Sequence, residues 1–301
     1  MPSSKLSVLV TFLIISIYAN AQIKVGAQRY EHYQTLIKGK RVALVANQSS
    51  KVGEQHLLDF LLEKGVEVSK IFSLEHGFRG TEDAGKAIEN GKDVKTGVPI
   101  MSLYGKNKKP SVAYLEGVDL VVFDIQDVGV RFYTYISSLH YIMEACAESK
   151  IPVLVLDRPN PNITMLDGPV LEMEFKSFVG MHPIPVAHGM TIAEYALMIN
   201  GQYWLKDSVQ CKLNVVPCEA YTRTSKYVLP IKPSPNLPNH QAVRLYPSLC
   251  FFEGTKVSVG RGTAFPFQVF GSPRYKGKYN FEFVPKPNEG SSSPKFNGET
   301  C

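Results

Sequence analysis

The sequence lacks the common nucleotide-binding and hydrolase motifs. No G-x-G-x-x-G segment follows the first predicted strand, no Walker A sequence is present, and the glycines that flank Arg261 come late and lack the third glycine of the pattern. A nucleotide cofactor is therefore not expected. The chain also has neither a G-x-S-x-G elbow nor an H-E-x-x-H helix, so the two commonest hydrolase signatures are missing.

Histidine and cysteine are few and poorly spaced for metal binding or for a disulfide framework. The seven histidines show no metal-ligand spacing, so we expect no metal. The five cysteines are an odd number without a C-x-x-C pair. A bond between Cys211 and Cys218 would require their strand to bend back, and buried free thiols are the favoured interpretation.

Charge is mild and dispersed. The formal net charge is +6, and the basic residues do not gather into a stripe with interleaved aromatic residues. Nucleic acid is therefore a poor candidate partner, whereas a mildly basic surface would suit anionic polymers of a cell wall.

Residues 1–21 have the features of a secretory signal. Lys5 precedes an apolar stretch at residues 6–17, and Ala19-Asn20-Ala21 is a small-x-small cleavage site. An uncleaved membrane anchor is the alternative, but the stretch is shorter than the roughly 20 residues that span a bilayer. We expect an exported protein, periplasmic or extracellular, that begins at Gln22 and has no stable membrane insertion.

Continuous apolar runs alternate with helical patterns along the chain. Strands are predicted at residues 41–47, 68–74, 118–125, 153–156 and 212–216, and helices at 57–65, 134–149 and 192–205. This alternation predicts an α/β fold with a Rossmann-like parallel sheet covered on both faces. We expect this catalytic domain to span residues 22–272. The polar residues 273–301, with a predicted strand at 281–284, would begin a smaller, truncated C-terminal domain.

Ligands of such sheets bind beyond the carboxyl ends of the strands, and the loops there are unusually polar. Their carboxylates, arginines and aromatic residues are the equipment of glycoside cleavage, in which a general acid works with a second group. Glu75 is the first choice for the acid, because it leaves an apolar strand beside Gly77. An ion pair between Glu75 and Arg79, with His76 as packing, is an equally good interpretation.

The other polar residues have structural alternatives. For Asp124 a functional role is favoured. The guanidinium of Arg158 either binds a substrate carboxylate with two N–H groups or pairs with Asp157. Glu194 stands in a capping-box pattern, so capping of a helix is its default role. His188 is more often a structural histidine, and Glu253 and Arg261 lie in a glycine-rich polar cluster.

Seven ordered motifs make the chain resemble the bacterial exo-β-N-acetylmuramidase family: LEHGFRG (74–80), FDIQDVG (123–129), RFYTY (131–135), DRPNP (157–161), HGMT (188–191), PSPN (233–236) and EGT (253–255). The resemblance implies a Rossmann-like domain, a smaller C-terminal α/β domain and an active cleft between them. It also implies release of terminal N-acetylmuramic acid from the non-reducing end of peptidoglycan fragments during wall turnover and recycling.

Carried over by motif, the resemblance gives three catalytic candidates and a set of substrate-binding candidates. The catalytic candidates are Glu75, Asp124 and Glu194. The substrate-binding candidates are His76, Arg79, Gln126, Arg131, Tyr133, Asp157, Arg158, Asn160, His188, Asn236, Glu253 and Arg261. An arginine among positions 79, 131, 158 and 261 is expected to bind the lactyl carboxylate of the sugar. The alternatives are a non-catalytic muropeptide-binding envelope protein and, with less support, a peptidoglycan amidase or esterase.

Overall fold

A computed structural model describes residues 22–78 and 90–301. The predicted signal segment and Arg79 lie outside the described residues. The strands are β1 (Arg41–Ala46), β2 (Lys51–Val52), β3 (Gln55–His56), β4 (Glu67–Ser73), β5 (Gly91–Lys92), β6 (Pro99–Ser102), β7 (Leu120–Asp124), β8 (Val153–Leu156), β9 (Leu166–Asp167), β10 (Ala187–His188) and β11 (Leu213–Val216). The α-helices are α1 (Gln34–Ile37), α2 (Leu57–Glu63), α3 (Val112–Leu115), α4 (Tyr135–Glu148), α5 (Ile192–Gly201) and α6 (His240–Leu249).

The main sheet has β1 near its centre. Its order across the described strands is β11-β8-β7-β1-β4-β6-β5, and each neighbouring pair is parallel except β5 with β6. The apolar run of β1 is buried on both faces: Val42 and Leu44 join one hydrophobic core, whereas Ala43 and Val45 join the other. Alternate side chains of a strand point to opposite faces, so the sheet must be covered on both sides.

Helices supply that cover. α2 packs its leucines into the first core, and α4, α5 and α6 bury their apolar faces in the second. Thr191 caps α5 and forms the predicted capping box with Glu194, since each side chain bonds the other residue's backbone N–H. None of the helices in the described part of the chain is long and apolar enough to cross a bilayer.

The predicted α/β class with a parallel sheet is confirmed, as are the five predicted strands and three predicted helices to within a few residues. β6 and α6 are further elements that the sequence did not predict. The predicted strand at residues 281–284 is wrong. Phe283 exchanges two backbone hydrogen bonds with Cys301, at 3.0 and 2.8 Å, but Pro285 follows and has no N–H to extend the ladder.

The five cysteines are all free thiols, so Cys211 and Cys218 are not bonded to each other. Cys218 is half-buried and the other four are buried.

Candidate active site

A cleft of about 880 Å³ opens beyond the carboxyl ends of β4, β6 and β7. Glu75 follows β4, Tyr104 follows β6, and Tyr133 and Thr134 lie between β7 and α4. The remaining wall comes from residues 178–179, 234–267 and 290–293. Of the sequence candidates that the structure describes, six line this cleft: Glu75, His76, Tyr133, Asn236, Glu253 and Arg261.

Both carboxylate oxygens of Glu75 accept hydrogen bonds from hydroxyl groups. Tyr104 Oη lies 2.8 Å from Oε1, and Thr134 Oγ1 lies 2.8 Å from Oε2. These two donors come from different loops, so they fix the direction of the carboxylate as well as its position. The half-buried side chain of Glu75 therefore has a fixed orientation at the cleft surface.

The backbone around Glu75 forms a tight turn. His76 and Gly77 have φ values of 68° and 75°, and the Gly77 N–H donates to Leu74 O at 3.0 Å. A positive φ suits glycine but is uncommon for histidine, so this turn is a strained feature of the kind often found at functional sites. The turn brings Glu75 directly off the end of β4.

Tyr135 stabilises the turn through a hydrogen bond to the backbone of Glu75. Its hydroxyl donates to Glu75 O at 3.2 Å and accepts a bond from Asn47 Nδ2 at 3.1 Å. Burial raises the pKa of Tyr135 well above its ordinary value, and the charge of Glu75 raises it further. The hydroxyl therefore stays protonated and able to donate.

Glu253 and Arg261 form an ion pair in the cleft wall. Arg261 Nη2 lies 2.6 Å from Glu253 Oε2, and the guanidinium carbon stands 5.0 Å from the centre of the Phe267 ring. Both side chains are partly exposed, at 26% for Arg261 and 32% for Glu253. Since only one edge of the guanidinium contacts Glu253, Arg261 keeps further N–H groups that can bind an anion in the cleft.

The serine-rich segment near the end of the chain also reaches the cleft. Asn236 Nδ2 donates to Gly290 O at 2.7 Å, and Gly290 has a φ of 81°. A Cβ at Gly290 would lie 2.3 Å from Pro235 Cβ, so a side chain cannot be accommodated there. Asn236 thus docks residues 290–293 onto the sheet domain.

Asp124 does not reach the cleft. It is fully buried, and its carboxylate accepts from Arg158 Nε at 2.6 Å and from Arg158 Nη2 at 2.8 Å. Arg158, for which a substrate carboxylate and Asp157 were the two alternatives, instead pairs with Asp124, because two buried charges must be paired. Neither Asp157 nor any cleft residue pairs with Arg158.

Asp157, which follows β8, and Glu194 both bond backbone N–H groups at the start of α5. Asp157 Oδ1 accepts from the Ala193 N–H at 3.0 Å, and burial raises the pKa of Asp157 to about 6. Glu194 bonds the Thr191 N–H at 2.8 Å and also pairs with the exposed Arg223. The structure thus gives Glu194 its capping role and keeps it away from the cleft lining.

The four remaining candidates are buried, and each has at least one polar contact with a neighbouring protein group. Arg131 Nη1 donates to the carbonyls of Pro169 and Ile184, while Gln126 Nε2 donates to those of Asp127 and Pro159. Asn160 Nδ2 donates to Met190 O, and His188 Nε2 lies 3.4 Å from Asp127 Oδ2. These residues fix loops, and none of them lines the cleft. No cluster of three or more metal-ligating side chains occurs within the described ranges.

Sequence reasoning missed several cleft residues. Tyr104 follows a strand exit, like Glu75, but β6 had not been predicted, so the strand-exit rule was not applied there. Phe132, Phe178, Phe251 and Tyr246 supply apolar wall, and no local pattern separates such aromatic residues from core residues.

Family models match nearly the whole described sheet domain and the region after it. The model described as exo-β-N-acetylmuramidase NamZ, N-terminal, matches residues 42–241, and the C-terminal model matches residues 244–301. The two matches meet near residue 242, and the domain boundary at 272 stays a prediction.

Individual relatives agree. The chain is 43% identical over 251 residues to the peptidoglycan β-N-acetylmuramidase NamZ of Bacillus subtilis (strain 168), which covers 81% of this chain and 60% of the relative. Two solved DUF1343 family proteins of Bacteroides fragilis NCTC 9343 have a similar structure. The first has a TM-score of 0.86 and 49% sequence identity, and the match covers 93% of this chain and 75% of the solved chain. The second has a TM-score of 0.79 and 31% sequence identity, and the match covers 92% of this chain and 75% of the solved chain. The chain belongs to the exo-β-N-acetylmuramidase NamZ family.

Proposed function

We propose that this protein is an exo-acting glycoside hydrolase that releases N-acetylmuramic acid from the non-reducing end of peptidoglycan fragments. The observation that carries the proposal is Glu75, a carboxylate oriented by two hydroxyls on a cleft that also contains the Glu253–Arg261 pair. The chain spans 60% of the length of its Bacillus subtilis relative, whose name supports the same reaction.

Glu75 acts as the general acid in this proposal. It protonates the glycosidic oxygen as the bond to the anomeric carbon breaks, and an oxocarbenium-like transition state develops on the sugar. Tyr104 and Thr134 hold the carboxyl group in the direction that proton transfer requires. Hydroxyl groups both donate and accept, so they can adapt to either protonation state of the acid.

Glu253 is the second carboxylate among the described residues that line the cleft. It replaces Asp124 in the scheme drawn from sequence, because Asp124 is buried against Arg158 whereas Glu253 lines the cleft. It serves as nucleophile, as base or as stabiliser of the positive charge that develops on the sugar.

Arg261 confers selectivity for muramic acid. N-acetylmuramic acid differs from N-acetylglucosamine by a lactyl ether that ends in a carboxylate, and a guanidinium can bind that carboxylate bidentately. Of the four arginines proposed from sequence, Arg261 lines the cleft, whereas Arg131 and Arg158 are buried and bonded elsewhere.

The test is hydrolysis of a chromogenic N-acetylmuramic acid glycoside by the full-length protein. Glu75→Gln should lower turnover by about two orders of magnitude or more. Glu194→Gln is the matched control, since it makes the same chemical change at a helix cap outside the cleft. Near-normal turnover by Glu75→Gln would remove Glu75 from the mechanism. Binding of muropeptides by the wild type without any product release would favour the sugar-binding alternative.

A second comparison tests Arg261. Arg261→Ala should raise KM for the muramic acid glycoside and leave KM for the N-acetylglucosamine analogue unchanged. Equal changes for both substrates would refute a contact with the lactyl group. The peptidoglycan substrate lies outside the cytoplasmic membrane, so the proposal agrees with export directed by residues 1–21.

A further inference from the structure

A second cavity, of about 600 Å³, lies at the same edge of the sheet. It is bounded by the loops after β1, β7 and β8, by residues 22–28 and by residues 226–231. None of its lining residues lines the catalytic cleft. β1 and β7 are neighbours in the sheet, while the chain passes from β1 to β4 on the other side, so this edge is a topological switch point. Ligands of open α/β sheets bind at such points.

Arg158 has an unused donor at this cavity. Its Nε and Nη2 both donate to the carboxylate of Asp124. Nη2 also donates to Lys51 O at 3.1 Å. Nη1 has no hydrogen-bond partner within residues 22–78 and 90–301, although the side chain is only 6% exposed and lines the cavity. Nη1 keeps contact with solvent, so its N–H groups are available to a ligand in the cavity.

The other charged side chains of the lining favour an anion. Lys51 and Lys226 form no ion pair with any described residue, and Glu54 is the one acidic side chain among the lining residues that the structure describes. The charge of Arg158 is already balanced by Asp124, so the two lysines leave the cavity positive.

The neutral part of the lining suits a hydroxylated molecule. Gln22, Gln28, Ser49 and Gln126 contribute amide and hydroxyl groups. Burial raises the pKa of Tyr227, so its hydroxyl remains a donor, and its ring offers a face to a sugar.

We propose that the cavity between Lys51, Arg158 and Lys226 is a second binding site, for a small sugar-like anion that carries a carboxylate or a phosphate. The site is independent of the glycosidase reaction proposed for the cleft.

The experiment is isothermal titration of the full-length protein at low salt with D-glucuronate, D-glucose 6-phosphate and D-glucose. At least one of the two anions should bind saturably, and neutral glucose should not. The stronger of the two anions identifies the charged group that the site prefers. Lys51→Ala and Lys226→Ala should each weaken its Kd by about fivefold to tenfold, as expected for loss of one charge-assisted hydrogen bond.

Two control variants locate the bound probe. Lys212→Ala removes an exposed lysine outside the cavity and should leave the Kd unchanged. Arg261→Ala should also leave it unchanged, since Arg261 belongs to the cleft. The proposal fails if neither anion binds, if glucose binds as well as they do, if Lys212→Ala weakens binding as much as the cavity variants, or if Arg261→Ala abolishes it.

Discussion

Asp157 makes the stability of the protein depend on pH. Burial raises its pKa from the ordinary 3.8 to about 6, although hydrogen bonds from the Ala193 N–H and Thr191 oppose the rise. Between these pH values the folded protein binds more protons than the unfolded chain. The stabilisation from this group is therefore fully present below about pH 4 and is lost as the pH rises through about 6. The difference between the two pKa values corresponds to about 3 kcal/mol of unfolding free energy.

Asp157→Asn isolates this effect, because the amide oxygen can still accept from Ala193 but the side chain cannot ionise. Urea unfolding at a series of pH values gives the free energy of unfolding for the wild type and the variant. The wild-type value minus the variant value should fall by about 3 kcal/mol between about pH 3 and pH 7. Asp207→Asn, at an exposed carboxyl with a φ of 55° that asparagine also tolerates, is the matched control. A difference that stays constant or rises with pH would refute the reasoning.

Two further variants test residues that the structure moves out of the cleft. Asp124→Asn leaves the buried Arg158 without its counter-charge. The free energy of unfolding, measured by urea unfolding, should fall by about 3 to 5 kcal/mol. A loss below about 1 kcal/mol would contradict the pairing. Arg131→Gln removes the hydrogen bonds that Arg131 donates to the carbonyls of Pro169 and Ile184. Amide hydrogen exchange should therefore accelerate in residues 166–184 while α4 stays protected. Unchanged exchange in residues 166–184 would show that Arg131 does not stabilise that segment.

The sheet was predictable because its strands are buried on both faces. β1 and β7 are continuous apolar runs in the sequence, and their burial follows from the helices on each side. β6 was missed because only four residues form it and three of them are half-buried, so its apolar run is short. α6 was missed because Pro247 lies inside it, and proline ordinarily argues against a helix interior.

The site was only partly predictable, because a polar residue at a strand exit has two possible fates. Glu75 and Asp124 lie at the carboxyl ends of β4 and β7, the two strands that flank β1, and are alike in sequence pattern. One meets hydroxyl donors at an open cleft, and the other meets the guanidinium of Arg158 in the interior. The deciding partners, Tyr104 and Arg158, come from distant parts of the chain. Local spacing carries no information about them.

The buried polar residues nevertheless contribute to the cleft through the positions that they impose. Ser49 Oγ donates to Asn47 Oδ1 at 2.6 Å, Asn47 donates to Tyr135, and Tyr135 donates to the carbonyl of Glu75. Ser49, Asn47 and Tyr135 are buried, so breaking one of their bonds would leave a polar atom unsatisfied, at a cost of about 1 to 3 kcal/mol. The turn that presents Glu75 is therefore fixed by a network that begins at the second cavity, because Ser49 also lines that cavity. The strained φ of His76 persists because this network holds Glu75, the residue before it, in place.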